Sequence, residues 1–354
     1  MKTPEELVRP EILALSAYAV ADSEGMVKLD AMELPYALPE PLRARLAERL
    51  SRCELHRYPD PTGRRLRAQL AQRMRVPPGM SVMLGNGSDE LIQIVTSTLA
   101  RPGAVMLVPE PTFVIYRTNA TLAGMRVAGV PLRADFSFDR EAFLAAMREL
   151  RPALVFLAYP NNPTGTLYAA ADVEAVIRAA EGLVVLDEAY HAYAGASFMA
   201  RLAEFPNLAV MRTVSKLGLA GIRLGYLAAH PRWIEQFDKV RQVYNVNVLT
   251  QTAAEFALEH LAVFEAQAAQ VLAEREPLAQ ALAALPGVTV FPSAANFLLV
   301  RVPDAARAHD GLRRRGVLVR SFHGAHPLLE NCLRITVGTP QENRILLDAL
   351  RACL

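Results

Sequence analysis

Short apolar runs alternate with amphipathic segments between residues 80 and 230. Runs of five or six apolar residues are typical of strands buried on both faces, as in a parallel sheet. The segments between them repeat apolar residues three and four positions apart, which predicts helices with one buried face. The predicted strands are AVMLV from Ala104, ALVFLA from Ala153, LVVLD from Leu183, LAVMR from Leu208 and LGYLAA from Leu224, and the predicted helices begin at Asp89, Asp139 and Ala170. Such alternation predicts an α/β domain.

The pattern changes after residue 246. An Ala, Leu and Glu-rich stretch from Gln251 to Leu285 predicts long helix, and NFLLVRV from Asn296 and CLRITVG from Cys332 predict two strands before a final helix near 342–353. We therefore predict an N-terminal arm over residues 1–35 that completes the small domain. Residues 36–246 should form a large domain with a mostly parallel sheet, and residues 247–354 a smaller α+β domain.

Composition narrows the class of partner. The 38 Lys and Arg residues nearly balance the 36 Asp and Glu, for a net charge of +2, so nothing favours nucleic acid or a membrane surface. No apolar run has the length of a membrane helix, and charges interrupt the N-terminal segment where a signal peptide needs a continuous apolar core. The three distant cysteines fit a reducing cytoplasm. A small-molecule partner is expected, and no metal, because His323 and His326 have no carboxylate at a metal-ligand spacing.

Polar residues collect where the predicted strands end, which is the edge where open α/β sheets bind ligands. In GNGSDE, Gly85 to Glu90, glycines precede a helix that starts near Ser88 and Asp89, and the free N–H groups of its first turn could hold an anion. An ordinary helix cap explains the same residues. YPNNPTG places Asn162 after another strand, although Asn is also a favoured turn residue.

Two more strand ends carry chemically useful residues. Asp187 ends the LVVLD run with Tyr190 shortly after it, and such an acid could be a helix cap or the partner of a cation. Lys216 follows LAVMR among small and apolar residues, where a disfavoured ammonium form would make the amine a nucleophile. A lone lysine is ordinarily solvated. The succession of an anion cradle, an amide, an acid, a tyrosine and a lysine on one edge is what favours a functional site.

Taken together, these segments resemble the fold-type-I aminotransferases that depend on pyridoxal 5'-phosphate (PLP), over nearly the whole chain. Within them the chain is most similar to the histidinol-phosphate aminotransferase subfamily. Besides the strand-end motifs, the resemblance rests on SAYAV around Tyr18, RYPD around Tyr58, PTF around Phe113, RTVSK around Lys216 and LRITVGT around Arg334. Three departures are that the stretch from Lys216 to Arg223 is one residue shorter than is common, that Leu34 stands in place of Asn, and that Phe113 stands in place of Tyr.

The resemblance implies roles around the cofactor ring. Lys216 would carry PLP as a Schiff base and move the substrate's proton, while Asp187 would pair with the pyridine nitrogen so that the ring accepts electrons. Tyr190 and Asn162 would bond the ring's 3-oxygen. Phe113 would stack on the ring face.

The resemblance also implies two anion sites. The cofactor phosphate would be held by Ser88, Asp89, Ser215 and Arg223, and by Tyr58 of a second subunit of a homodimer. The distal, acidic end of the substrate would be held by Arg334, Arg320 and Tyr18.

The implied reaction is transamination in histidine biosynthesis. Glutamate would supply the amino group and leave as 2-oxoglutarate, and imidazole-acetol phosphate would receive it to give histidinol phosphate. An aromatic aminotransferase or a threonine-phosphate decarboxylase could share every cofactor residue, so both remain alternatives. A non-catalytic regulator of the same fold is disfavoured because Lys216 and Asp187 are both present and no DNA-binding domain is expected before the fold.

Overall fold

The computed structural model describes residues 1–17 and 20–354. Its strands, in chain order, are β1 (Val27–Lys28), β2 (Ser81–Gly85), β3 (Val105–Glu110), β4 (Arg126–Pro131), β5 (Leu154–Ala158), β6 (Leu183–Asp187), β7 (Leu208–Thr213), β8 (Gly225–Ala229), β9 (Thr289–Val290), β10 (Phe297–Arg301), β11 (Val317–Leu318), β12 (Arg320–Ser321) and β13 (Cys332–Thr336).

The helices are α1 (Pro4–Leu7), α2 (Pro10–Leu13), α3 (Glu40–Ser51), α4 (Arg64–Arg73), α5 (Ser88–Leu99), α6 (Val114–Ala123), α7 (Arg140–Leu150), α8 (Ala170–Ala179), α9 (His191–Ala194), α10 (Pro231–Asp238), α11 (Val248–Glu259), α12 (Leu261–Ala283), α13 (Ala305–Arg314) and α14 (Pro340–Arg351). None of the helices in the described residues is both long and apolar enough to span a membrane.

The principal sheet has seven strands in the order β2-β8-β7-β6-β5-β3-β4. Neighbours from β7 through β6, β5 and β3 to β4 are parallel, which confirms the mostly parallel α/β fold. The LGYLAA run forms β8 as predicted, but β8 is antiparallel to both β2 and β7. The connection between β7 and β8 has only two short 3-10 turns, Ser215–Leu217 and Ala220–Ile222, and no crossover helix, so the chain returns in the opposite direction.

Both faces of this sheet are buried, which explains why its strands are continuously apolar. Along β6, Val184 and Leu186 pack into one core with residues of α4, α7 and α8. Leu183 and Val185 pack on the other face with α5, α6 and α10.

A second core lies under the four-stranded antiparallel sheet β12-β13-β10-β9. The N-terminal segment joins it, because β1 pairs in parallel with β11, and Leu29, Met32 and Leu34 are buried there. Ala254 and Leu258 of α11 instead pack in the core of the principal sheet. The boundaries at residues 35 and 246 stay predictions.

Candidate active site

A cavity of about 850 Å³ opens at the carboxyl edge of the principal sheet. The last residues of three adjacent strands form its floor: Ala158 of β5, Asp187 of β6 and Thr213 of β7. The start of α5, the β12–β13 pair and residues 28–32 complete its wall. A space of this size accommodates a cofactor or a small substrate.

Lys216 lines this cavity, in the 3-10 turn that follows β7. Its Nζ donates to the backbone oxygen of Ala31, 2.8 Å away, in the N-terminal segment. Burial and the nearby Arg334 guanidinium lower the Lys216 pKa to about 8. About a tenth of the amine is therefore unprotonated at pH 7, far more than for an ordinary lysine, and the unprotonated form is the one that a nucleophilic lysine requires.

Asp187 is buried at the end of β6 and faces the same cavity. Burial raises the pKa of its carboxyl to about 6, against the lowering effect of its hydrogen bonds. Its Oδ2 accepts from the Tyr116 hydroxyl at 2.7 Å, and its Oδ1 from the Ala189 N–H at 3.1 Å. These hydrogen bonds fix the direction of the carboxylate but only partly offset the cost of burying its charge. The carboxylate is therefore suited to a cationic partner in the cavity.

Tyr116, on α6, is a site residue that sequence reasoning missed. It is fully buried between the Phe156 ring, at a centroid separation of 4.6 Å, and the edge of Phe113. Its helix, α6, was not among the predicted helices. Its hydroxyl was the feature that could have identified Tyr116 as a site residue, because a buried tyrosine O–H ordinarily has a polar partner.

Ser88, Asp89, Ser215 and Arg223 meet at one end of the cavity. Arg223 lies 3.4 Å from Ser215 Oγ and 3.3 Å from Asp89 Oδ2, so the shorter stretch from Lys216 still brings Arg223 to this end. Ser88 and Asp89 are the first residues of α5, where backbone N–H groups and the helix dipole favour an anion.

This end of the cavity depends on two glycines. Gly87 has φ +82°, and a Cβ there would lie 2.6 Å from Arg223 Nη2. A Cβ on Gly225 would lie 2.7 Å from the Ser88 nitrogen. Only glycine leaves the backbone and guanidinium donors this close together.

The small sheet supplies two arginines to the opposite side of the cavity. Arg320 and Arg334 are direct cross-strand neighbours of β12 and β13, and both line the cavity. Arg334 donates to Asn162 Oδ1 at 2.6 Å and to the Asp30 backbone oxygen at 2.7 Å. Two guanidinium groups on one wall of a cavity can both donate to a single acidic group, so the pair is suited to an acidic ligand.

Three other predicted residues are placed unambiguously. Phe113 and Tyr190 line the cavity, and Tyr190 packs edge-on against Phe297. Tyr58 does not line the cavity: it is 80% exposed and stacks on Tyr244 with a centroid separation of 4.4 Å. Tyr18 lies outside the described residues.

No cluster of three or more His, Cys, Asp or Glu side chains suited to a metal ion occurs among residues 1–17 and 20–354. His323 instead pairs with Glu330, and His326 caps a short turn at Leu328. Cys53, Cys332 and Cys353 are free thiols.

The fold and this edge cavity are those of an aminotransferase. Residues 24–350 match the family model described as "Aminotransferase class I and II", and the chain belongs to that family.

Comparison with individual proteins gives a narrower group than the family model does. The chain is 59% identical to histidinol-phosphate aminotransferase 2 of Cupriavidus pinatubonensis, over 99% of this chain and 97% of that one. It is 58% identical to histidinol-phosphate aminotransferase 1 of Ralstonia nicotianae, over 98% and 94% of the two chains. Among solved structures it is similar to histidinol-phosphate aminotransferase from Sinorhizobium meliloti in complex with pyridoxal-5'-phosphate, with a TM-score of 0.86, 26% identity and coverage of 98% and 97%.

Proposed function

We propose that this protein transfers the amino group between histidinol phosphate and 2-oxoglutarate, using PLP, as a step of histidine biosynthesis. The observation that carries the proposal is one cavity with three features: a lysine of lowered pKa, a buried acid at its floor and an arginine pair in its wall. Relatives at 58–59% identity over nearly the full chain are histidinol-phosphate aminotransferases. That agreement favours this reaction over the aromatic aminotransferase and the threonine-phosphate decarboxylase.

The residues of the cavity fit PLP. Its phosphate suits the end formed by Ser88, Asp89, Ser215 and Arg223, where Gly87 and Gly225 let the backbone N–H groups and the Arg223 guanidinium come close together. Asp187 suits the pyridine nitrogen, because a buried carboxylate gains most from a cationic N–H partner. Phe113 provides an aromatic face, and Asn162 and Tyr190 provide polar groups for the ring's 3-oxygen.

When bound, PLP supplies an electron sink for the bond that breaks at the substrate's α-carbon. The chain supplies the rest of the chemistry. Lys216 would hold the cofactor covalently, and its free amine would move a proton from the substrate's α-carbon to the cofactor. The Ala31 carbonyl gives Lys216 Nζ a defined position when the amine is free. Asp187 keeps the pyridine nitrogen protonated, with Tyr116 fixing the direction of the carboxylate.

The arginine pair holds the acidic end of both substrates. Arg334 presents a planar fork that suits a carboxylate as well as a phosphate, and Arg320 adds a second cation beside it. A phosphate, with three oxygens and nearly two charges, gains more from a second arginine than a carboxylate does. Tyr18 is proposed as a further donor to this group.

We propose a homodimer in the cytoplasm as the working unit, with Tyr58 contributing to the partner's phosphate site. The exposure of Tyr58 and of the nearby Leu55, Val243 and Leu249 supports a second copy on this surface. The free thiols support a reducing compartment.

The proposal is tested by supplying histidinol phosphate, phenylalanine and threonine phosphate separately, each with 2-oxoglutarate. Glutamate formation and carbon dioxide release are measured for each compound, with Lys216→Ala as the blank. We expect the highest specificity constant for glutamate formation with histidinol phosphate, and no carbon dioxide with threonine phosphate. A higher specificity constant with phenylalanine, or carbon dioxide release, would assign the protein to one of the alternatives.

A further inference from the structure

A buried ion pair lies at the same carboxyl edge of the principal sheet, on the face opposite the one to which the Asp187 side chain points. Glu188, directly after β6, is 0% exposed, and Arg212 of β7 is 6% exposed. Arg212 Nη2 and Nε lie 2.8 and 2.9 Å from Glu188 Oε2. Successive side chains of an extended segment point to opposite faces, so Asp187 faces the cavity while Glu188 faces the Phe198 backbone N–H, which donates to it at 2.7 Å.

The pair is enclosed by further polar contacts. Ser197 Oγ lies 2.8 and 3.0 Å from the two Glu188 oxygens and accepts from Arg212 Nη2 at 2.7 Å. The Tyr226 hydroxyl lies 3.4 Å from Arg212 Nη1. Two buried charges seldom stabilise a fold more than apolar residues of the same size would, so the pair calls for a role other than stability.

The location of the ion pair suggests a role in the active site. Glu188 follows Asp187 directly, and Arg212 precedes Lys216 by four residues. The Glu188 N–H also donates to the Met211 oxygen at 2.8 Å, beside the ion pair. The pair therefore joins the two strand ends that carry the acid and the lysine of the cavity.

Its charges also reach the site. Burial is the largest cause of the raised Asp187 pKa, and the Glu188 carboxylate adds to it. The Arg212 guanidinium lies within hydrogen-bond distance of that carboxylate, so the pair as a whole carries no net charge.

We propose that Glu188 and Arg212 form a positioning pair for the active site: they hold the ends of β6 and β7 in register, and the Arg212 charge offsets that of Glu188 next to Asp187. This inference rests on the proposed roles of Asp187 and Lys216. It assigns neither Glu188 nor Arg212 to contact with the cofactor or substrate.

The test compares Arg212→Met with Glu188→Gln in the PLP-loaded protein. The readout is the pH midpoint at which the cofactor's visible absorption changes, measured by titration. Arg212→Met leaves an anion that favours protonated groups and should raise the midpoint, whereas Glu188→Gln leaves a cation and should lower it, each on the order of 1 pH unit. The titratable groups around Asp187 that stay the same in all variants are Tyr116 on α6, Asp89 on α5, Tyr190 and Lys216.

Two further variants separate charge from general damage. The double variant Glu188→Gln/Arg212→Met should return the midpoint to the wild-type value, and Arg212→Lys, which keeps the charge, should leave it there. The matched control is Arg151→Met with Glu181→Gln, an exposed pair that precedes β5 and β6 at the opposite edge of the sheet. Its variants should not move the midpoint.

Shifts of the two single variants in the same direction, or no shift, would overturn the proposal, because a merely structural pair has no signed effect. If Arg212→Met does not fold, the midpoint should still fall in Glu188→Gln and stay at the wild-type value in Arg212→Lys, and any other result would overturn the proposal. Failure of the wild-type protein to bind PLP at Lys216 would instead overturn the proposed function, so the two failures are distinguishable.

Discussion

Burial changes the proton affinities of Lys216 and Asp187 in opposite directions. The lysine pKa falls to about 8 and the aspartate pKa rises to about 6, and desolvation is the largest cause of both shifts. Each side chain is thereby disposed toward a partner that the chain itself does not provide: a carbonyl for the amine and a protonated ring nitrogen for the carboxylate. Sequence reasoning found both residues because Asp187 ends an apolar strand and Lys216 follows soon after another, and it expected a disfavoured ammonium form for Lys216 but no raised pKa for Asp187.

The first prediction concerns Asp187→Asn in the cofactor-free protein. The raised pKa of Asp187 means that folding is penalised as pH rises from about 4, the unfolded value, through about 6. A shift of roughly two units corresponds to about 3 kcal/mol, so Asp187→Asn should increase the free energy of unfolding by about that amount at pH 8 and by less at pH 5. Denaturant unfolding at both pH values measures it, with the exposed Asp310→Asn as control.

Added PLP should reverse the difference in stability between the wild-type protein and Asp187→Asn, because only the carboxylate can pair with a protonated ring nitrogen. We expect PLP to raise the melting temperature of the wild-type protein more than that of Asp187→Asn. Turnover of Asp187→Asn should fall by roughly a hundredfold, as for loss of one charged contact of about 3 kcal/mol in a closed site. Near-normal turnover in the folded variant would remove Asp187 from the mechanism.

Tyr116→Phe isolates the hydroxyl that bonds Asp187. Its loss removes a contact that lowers the Asp187 pKa, so that pKa should rise further and PLP affinity should fall by about tenfold, as expected for a hydrogen bond to a charged group. Tyr168→Phe is the matched control, since Tyr168 is also buried but its hydroxyl has no hydrogen-bond partner among the described residues. Equal affinities in the two variants would show that the Tyr116 contact is dispensable.

At the scale of elements, the apolar strands of the principal sheet were predictable because burial on both faces leaves a continuous apolar run. The direction of β8 was not, because LGYLAA has the same composition as its parallel neighbours and only the absence of a crossover helix reverses it. Glu188 and Arg212 were missed for a related reason. Residues next to predicted site residues on a strand point to the other face, and the sequence does not show that two such faces meet.

The two arginines of the β12–β13 pair are expected to determine substrate choice. Arg320→Ala should lower the specificity constant for histidinol phosphate more than that for phenylalanine, because the phosphate uses both arginines. Tyr18→Phe should act in the same sense. Arg334→Ala should harm both substrates, since each needs an anion contact. Equal losses on the two substrates for the Arg320 and Tyr18 variants would favour a general aromatic aminotransferase.

At the scale of the whole molecule, the N-terminal segment and the small sheet close over one edge of the principal sheet, while Tyr58 points away from that cavity. Arg334 bonds Asn162 from the turn after β5 and Asp30 from the N-terminal segment, so three distant parts of the chain meet at one side chain. The sequence motifs indicated each part separately. Their convergence depends on tertiary packing, which local patterns do not encode.

Sharing of Tyr58 between subunits predicts complementation. Tyr58→Ala and Lys216→Ala proteins should each be inactive, and mixing them should place both lesions in one site of the heterodimer and leave the other site intact. Activity should therefore reappear on mixing and subunit exchange. Confirmed heterodimers without activity would show that Tyr58 does not serve the partner's site.

Lys216 is proposed to hold the cofactor, and the small number of lysines makes a direct test decisive. The chain has four, at positions 2, 28, 216 and 239. Of these, Lys28 also lines the cavity, but its ion pairs with Asp30 and Glu33 raise its pKa, which keeps the amine protonated. Borohydride reduction of the PLP-loaded protein, followed by digestion and mass spectrometry, should find the cofactor on the peptide that contains Lys216. Cofactor fixed to Lys28 or to any other lysine would contradict the account.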